Sequence, residues 1–340
     1  MTIQGVQLCW LLVLAFFVSS IFADNSDNAE YNHKLAVLEQ YAQSSVLQQC
    51  CNITPEEESE NLLECSLDTL AIIRSLFHSG HKDWPPRFSV VSYATTNIHD
   101  YAGYSLSLNA AYCSTHGYSF QVLSPAEGAE YEPADQRWNK VRILLEALDG
   151  GSNSSQSEWV LWLDADLAVI EPTLDLEALV DLAPNVDIFV CSDPEPAEIF
   201  SLVNTGALLV RNTPWTRDFL RRWWGDAASR KASWDQHAFT RLYLGQDMAV
   251  ASDSDLTGSG GTQDWSAVAV QSHIHILPAD ALNTRRPATL HHHKDCPVLH
   301  MVGALNAHRA LVFKEAWRNA CDYSSSVLLK SLVTPTLKGQ

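Results

Sequence analysis

The spacing of apolar residues changes twice along this chain. Between residues 30 and 48, Leu35, Leu38, Tyr41, Ala42 and Val46 recur at helical intervals. A second helix starts after Thr54, with Pro55 at its first position and Glu57 completing a capping box. Its apolar side carries Leu63, Leu67, Leu70 and Phe77, and Gly80 with Pro85-Pro86 marks a boundary within 78–87. From residue 88 onward, short apolar runs alternate with helical stretches. Residues 88–93 and 118–123 read as strands, with a helix over 101–116 between them that Gly117 terminates. A helix over 137–148, with Val141, Leu144, Leu145 and Leu148 on one side, leads to the unbroken run Trp159-Val160-Leu161-Trp162-Leu163. That run predicts a strand buried on both faces. Strands over 186–191, 207–210, 273–277 and 298–302 and helices over 214–224 and 234–244 follow. Strand and helix in alternation predict an α/β domain with a mostly parallel sheet and crossover helices.

The strand at 159–163 runs directly into Asp164 and Asp166. Open α/β sheets place ligands at the carboxyl ends of their strands, and two carboxylates there can hold a divalent cation against a diphosphate. A pair of turn acids is the plainer reading of those two residues alone. The first strand-to-helix turn has no Gly-rich fingerprint, which argues against a dinucleotide cofactor. A second acidic pair, Asp253 and Asp255, lies in a Ser/Gly-rich stretch with no strand before it and reads as a solvated loop. His291-His292-His293 reads the same way, because neighbours in an extended segment point to opposite faces.

Charge narrows the function further. The 340 residues carry 22 basic and 40 acidic side chains, a formal net charge of −18. Nucleic-acid backbones require clustered cations, so nucleic acid is not an expected partner. An acidic protein that handles nucleotide phosphates needs a metal to offset the charge. Residues 6–23 form an apolar leader that fits a signal peptide or a short signal-anchor, a membrane span needing ~17–25 residues. The sequons at Asn52 and Asn153 agree with a secretory lumen. In that oxidising setting, Cys65 is expected to pair with Cys50 or Cys51, and Cys296 with Cys321.

Six ordered segments together resemble glycosyltransferase family 34, the galactosyl, mannosyl and xylosyl transferases of the Golgi. They are Asn109 to Tyr118, Trp138-Asn139-Lys140, Trp159 to Asp166, Val203 to Asn212, Trp234-Asp235-Gln236, and His300-Met301-Val302-Gly303. The resemblance covers roughly residues 88–308. It implies a GT-A-type nucleotide-sugar-binding domain and a retaining, manganese- or magnesium-dependent transfer of a hexosyl or pentosyl group. The implied metal ligands are Asp164, Asp166 and His300. Lys140, Asn204 and Gly206 are the implied substrate contacts, with Asp235 and Gln236 near the reacting carbon. The family often has Cys and Lys shortly after His-x-x-Gly, where this chain has Ala304 and Leu305; Arg309 is the substitute phosphate-facing charge. The implied partners are a UDP- or GDP-linked sugar, a glycan acceptor and other glycosyltransferases. The implied location is the Golgi membrane, or secretion if the leader is cleaved.

The expected organisation is therefore a leader over 1–23, a helical stem over 24–87, a catalytic domain over 88–312 and a C-terminal tail over 313–340. Two other readings fit parts of the pattern. One is an inactive family member that serves as an assembly or glycan-binding subunit. The other is a haloacid-dehalogenase-like phosphatase, which also ends a strand in two spaced Asp residues but wants Thr or Val where Ala168 stands.

Overall fold

The computed structural model describes residues 28–51, 53, 59–78, 86–123, 135–149, 157–193, 202–225, 234–246, 264–285 and 297–333. The leader, both sequons, the capping box at 54–57, the acidic pair at 253 and 255 and the His triplet lie outside them. Among the described residues no helix is long and apolar enough to cross a membrane.

The segment from residue 88 onward has the expected α/β class, with a mostly parallel central sheet. Its strands are β1 (Phe88–Tyr93), β2 (Ser119–Leu123), β3 (Trp159–Leu163), β5 (Ile188–Ser192), β6 (Val203–Arg211) and β7 (Ile274–Leu277), in the spatial order β2-β1-β3-β6-β5-β7. Only β6 opposes its neighbours; the β2–β1, β1–β3 and β5–β7 pairs are parallel. All five residues of β3 are buried, as a strand covered on both faces requires. The period of two divides them: Val160 and Trp162 join one hydrophobic core, and Trp159, Leu161 and Leu163 join the other.

A second, three-stranded sheet continues from β3. Its strands are β4 (Leu167–Val169), β8 (Thr284–Arg285) and β9 (Val298–His300), in the order β4-β9-β8. Asp164 and Asp166 lie in the link between β3 and β4, where the chain leaves one sheet for the other. The periodicity did not disclose β4 or β8, because segments of two or three residues are too short to carry a pattern.

The first helical stretch is two helices, α1 (Asn28–Ala42) and α2 (Ser45–Cys50), with the Ser44 hydroxyl capping the second. α3 (Ser59–His78) then packs on α4 (His99–His116), which Gly117 ends in the left-handed conformation at φ 69°. The last helix, α11 (Asn306–Val333), runs through residues 312 and 313 without a break and also packs on α4. Tyr41, Leu47 and Leu62 of the N-terminal helices share one core with Leu106 of α4 and Phe313 and Trp317 of α11. Buried Ser324 donates a hydrogen bond from its hydroxyl to the Ala42 carbonyl.

Cys65 pairs with Cys50, one of the two partners expected for it. The expected Cys296–Cys321 bond is not formed: Cys321 pairs with Cys51 across 270 residues. Sequence proximity favoured Cys296, but α11 folds back onto α1 and α2 and carries Cys321 to Cys51. Cys113 and Cys191 are free and buried. Replacing Cys51 and Cys321 together by Ser is expected to reduce the unfolding free energy by about 2–5 kcal/mol. Denaturant unfolding measures it, and an unchanged midpoint would mean that helix packing alone holds the two ends together.

Candidate metal and sugar-transfer site

Three strand ends build the site. β3 delivers Asp164 and Asp166, β9 ends on His300, and the start of β6 runs past them. Leu167 of β4 pairs with His300 of β9, so Asp166, one residue earlier, stands next to the imidazole. The Met301 amide donates to the Asp166 carbonyl at 2.9 Å and the Asp164 amide to the Gly206 carbonyl at 2.8 Å. These bonds fix the backbone of both acids before any side chain is considered.

Ligand atoms of Asp164, Asp166 and His300 all lie within 4.8 Å of one another. Two carboxylates and an imidazole suit a divalent cation in charge and donor type. Gly206 provides a second test of fit. A Cβ built there would stand 2.4 Å from His300 Cε1 and 3.1 Å from His300 Nε2. The glycine is therefore the clearance that lets His300 reach the acids. Gly206→Ala is expected to weaken the binding of a divalent cation by these three groups at least roughly 10-fold and to lower stability by about 1–3 kcal/mol. Manganese titration and thermal denaturation test this, and normal values in both would show that His300 has room to spare.

Each acid also has a cation of its own. Lys140 Nζ lies 3.0 and 3.3 Å from the two oxygens of Asp164, 3.1 Å from Asp235 Oδ2 and 3.1 Å from the Thr205 carbonyl. The Trp162 indole donates to Asp164 Oδ1 at 2.7 Å. Arg309 reaches Asp166 Oδ2 at 2.8 Å, donates to the Met301 carbonyl at 3.1 Å and lies over the Tyr101 ring. Burial raises the Asp164 carboxyl above its ordinary range, Lys140 offsets part of this, and the Asp166 charge adds to it. Burial also pushes Asp166 upward, but the His300 hydrogen bond and the His300 and Arg309 charges outweigh it, so that carboxyl lies below the ordinary range. Burial alone would lower the Lys140 ammonium, and its two carboxylate partners reverse the effect and raise it.

The Asn-x-Gly segment is not a turn. Asn204, Thr205 and Gly206 lie inside β6, where the pairing with β5 jumps from Val190–Leu208 to Cys191–Asn204. That irregularity leaves residues 205–207 unopposed by β5 and free to serve the site. Asn204 Oδ1 accepts from the Gly206 amide at 2.9 Å. The Thr205 hydroxyl donates to Asp235 Oδ2 at 2.7 Å.

Asp235 opens helix α8 (Asp235–Tyr243), yet its carboxylate does not cap it; Trp234 occupies the N-cap position. The side chain turns inward to Lys140 and Thr205, while the Asp235 carbonyl accepts from the Trp223 indole at 2.9 Å. Trp223 is fully buried. Gln236 follows Asp235 in the first turn of α8.

Lys140, Asp164, Thr205 and Asp235 thus form one cluster, and Asp166, His300 and Arg309 another beside it. Three contributors were not legible in the sequence. Asn283 Oδ1 lies against His300 Nδ1, Thr205 occupies the middle of a motif named for its flanking residues, and Trp162 sits in a run that reads as core. The only available signal for Trp162 was the period of two, which puts it on the same side of β3 as Asp164. Leu305, at one of the positions that departs from the family pattern, is exposed.

No family model matches the chain. It is 26% identical over 144 residues to the probable α-1,6-mannosyltransferase MNN10 of Saccharomyces cerevisiae, covering 36% of each protein. The chain thus spans about a third of the length of that curated relative. Among solved structures, it is similar to a glycosyltransferase involved in the glycosylation of the major capsid of PBCV-1, with 21% identity, TM-score 0.49, and coverage of 68% of this chain and 100% of the other. The galactosyltransferase LgtC, solved with donor and acceptor sugar analogues, gives 14% identity, TM-score 0.42, and coverage of 68% and 95%. The relationship to glycosyltransferases that the ordered motifs imply is therefore also found by direct comparison with a curated protein.

Proposed function

We propose that this chain is a metal-dependent retaining glycosyltransferase of the secretory pathway. It takes a hexosyl or pentosyl group from a nucleoside diphosphate and passes it to a glycan acceptor. The observation that carries the proposal is the convergence of Asp164, Asp166 and His300 at the carboxyl end of the central strand, with the Lys140–Asp235–Thr205 cluster alongside. Asp164, Asp166 and His300 would hold manganese or magnesium, which supplies Lewis acidity to the leaving diphosphate.

In the transfer, the bond from the anomeric carbon to the diphosphate oxygen breaks and a bond to the acceptor hydroxyl oxygen forms on the same face. The acceptor proton goes to the departing diphosphate oxygen. Asp235 serves this reaction as a positioning group. Its Oδ2 is engaged by both Thr205 and Lys140 in a buried setting, which supports a fixed carboxylate over a nucleophile. Asn204, Gly206 and Gln236 line the sugar side, and Arg309 holds Asp166 from the opposite side. Two disulfides among the described residues support an oxidising compartment, and with the leader they favour a Golgi location.

One observation favours a second reading. Lys140 and Arg309 each already neutralise one carboxylate, and the phosphate-facing Lys of the family is replaced. An inactive assembly or glycan-binding subunit would keep such a locked site. Thermal-shift screening of UDP- and GDP-sugars with and without manganese separates the two. A donor that binds the native state raises the melting temperature, and the shift should require manganese. No shift with any donor would favour the non-enzymatic subunit.

A further inference from the structure

We infer that Asn283 is a positioning residue that holds the His300 ring with its proton-bearing Nδ1 turned away from the acids, so that Nε2 is the nitrogen facing Asp164 and Asp166. This builds on the cation reading of the site. Asn283 precedes β8, and β8 pairs in parallel with β9, Thr284 opposite Leu299 and Arg285 opposite His300. That register brings Asn283 beside the imidazole, 17 residues away in sequence. Both side chains are buried, each residue about 1% exposed. Asn283 Oδ1 lies 2.5 Å from His300 Nδ1. An amide oxygen only accepts, so Nδ1 carries a proton and Nε2 is left as the nitrogen turned to the acids. Nε2 in turn lies 3.5 Å from Asp166 Oδ1. A hydrogen bond at one ring nitrogen selects which nitrogen is left to bind a metal.

The other half of the amide supplies the second observation. Asn283 Nδ2 is buried and finds no acceptor among the described residues. An unmet buried donor is costly, and an apolar residue of similar size would carry no such cost. Asparagine is a poor choice here for stability alone. Its oxygen on His300 is what it contributes.

The full metal-free chain carrying ¹⁵N-histidine is examined by long-range ¹H–¹⁵N correlation, with His300 assigned from its absence in His300→Gln. The expected result is a His300 Nδ1 that carries a proton, a preference lost in Asn283→Leu and kept in Asn283→Asp. Manganese affinity, read by paramagnetic resonance, should fall roughly 10–100-fold in Asn283→Leu and stay within a few-fold in Asn283→Asp. The melting temperature of metal-free Asn283→Leu should change little, because removal of the unmet Nδ2 donor offsets the lost bond to His300. An Nε2–H tautomer in the unaltered chain would overturn the inference, since the amide would then present its nitrogen to the ring. Unchanged manganese affinity in Asn283→Leu would also overturn it. A chain that binds no manganese but carries a proton on His300 Nδ1 removes the cation reading and leaves the hold of Asn283 on His300 standing.

Discussion

Asp166→Ala is expected to reduce sugar-donor turnover by at least about 10³-fold and to abolish the manganese-dependent rise in melting temperature. Asp166 is the junction of its half of the site. Its carboxylate meets His300 and Arg309, while its carbonyl ties β4 to the residue after β9. The alanine keeps the carbonyl and removes the charge, so the fold should survive and the loss should be one of chemistry. Asp166→Asn refines the test: it keeps the shape and one carbonyl oxygen but lacks the anion that would balance a divalent cation. Both variants should unfold near the unaltered chain in the absence of metal. Turnover within about 10-fold of normal for either would remove the cation from the proposed transfer.

The second large effect concerns stability. Lys140→Met is expected to lower the unfolding free energy by about 3–5 kcal/mol. The ammonium is buried among Asp164, Asp235 and the Thr205 carbonyl, and its loss leaves two carboxylates in a low-dielectric setting with no counter-charge. Breaking one side of such a group is far more damaging than replacing the whole of it. Lys140→Met combined with Asp235→Asn should therefore recover part of the loss, although neither change restores transfer. Denaturant unfolding of the two single variants and the double gives the coupling. Simple additivity would mean that Lys140 and Asp235 do not act as a unit.

These two residues show how far the sequence could be followed. Lys140 and Asp166 were both named from motifs, as were Asp235, His300 and Arg309, but which of them pair was not. Spacing along one strand predicted that Asp164 and Asp166 would emerge together, because a strand projects its residues in fixed alternation. No spacing rule connects Lys140 with Asp235, or Arg309 with Asp166. Those pairs depend on how α5 (Asn139–Asp149) and α8 settle on the sheet and how α11 settles on α4. The same applies to the disulfides. Cys50 with Cys65 is a local pairing and was within reach, whereas Cys51 with Cys321 requires the last helix to return to the first.

By itself the sequence determined the α/β class, the buried central strand, the acidic pair at its end and the ordered motifs around it. These follow from local periodicity and residue type, which act over a few residues. The tertiary structure alone decided that β4 and β9 pair so that His300 stands beside Asp166, that Gly206 is the clearance for its ring, and that Asn283 sits behind it. It also decided that Asp235 faces Lys140 instead of capping its own helix. Such contacts join segments tens to hundreds of residues apart, and only packing fixes their distance and direction.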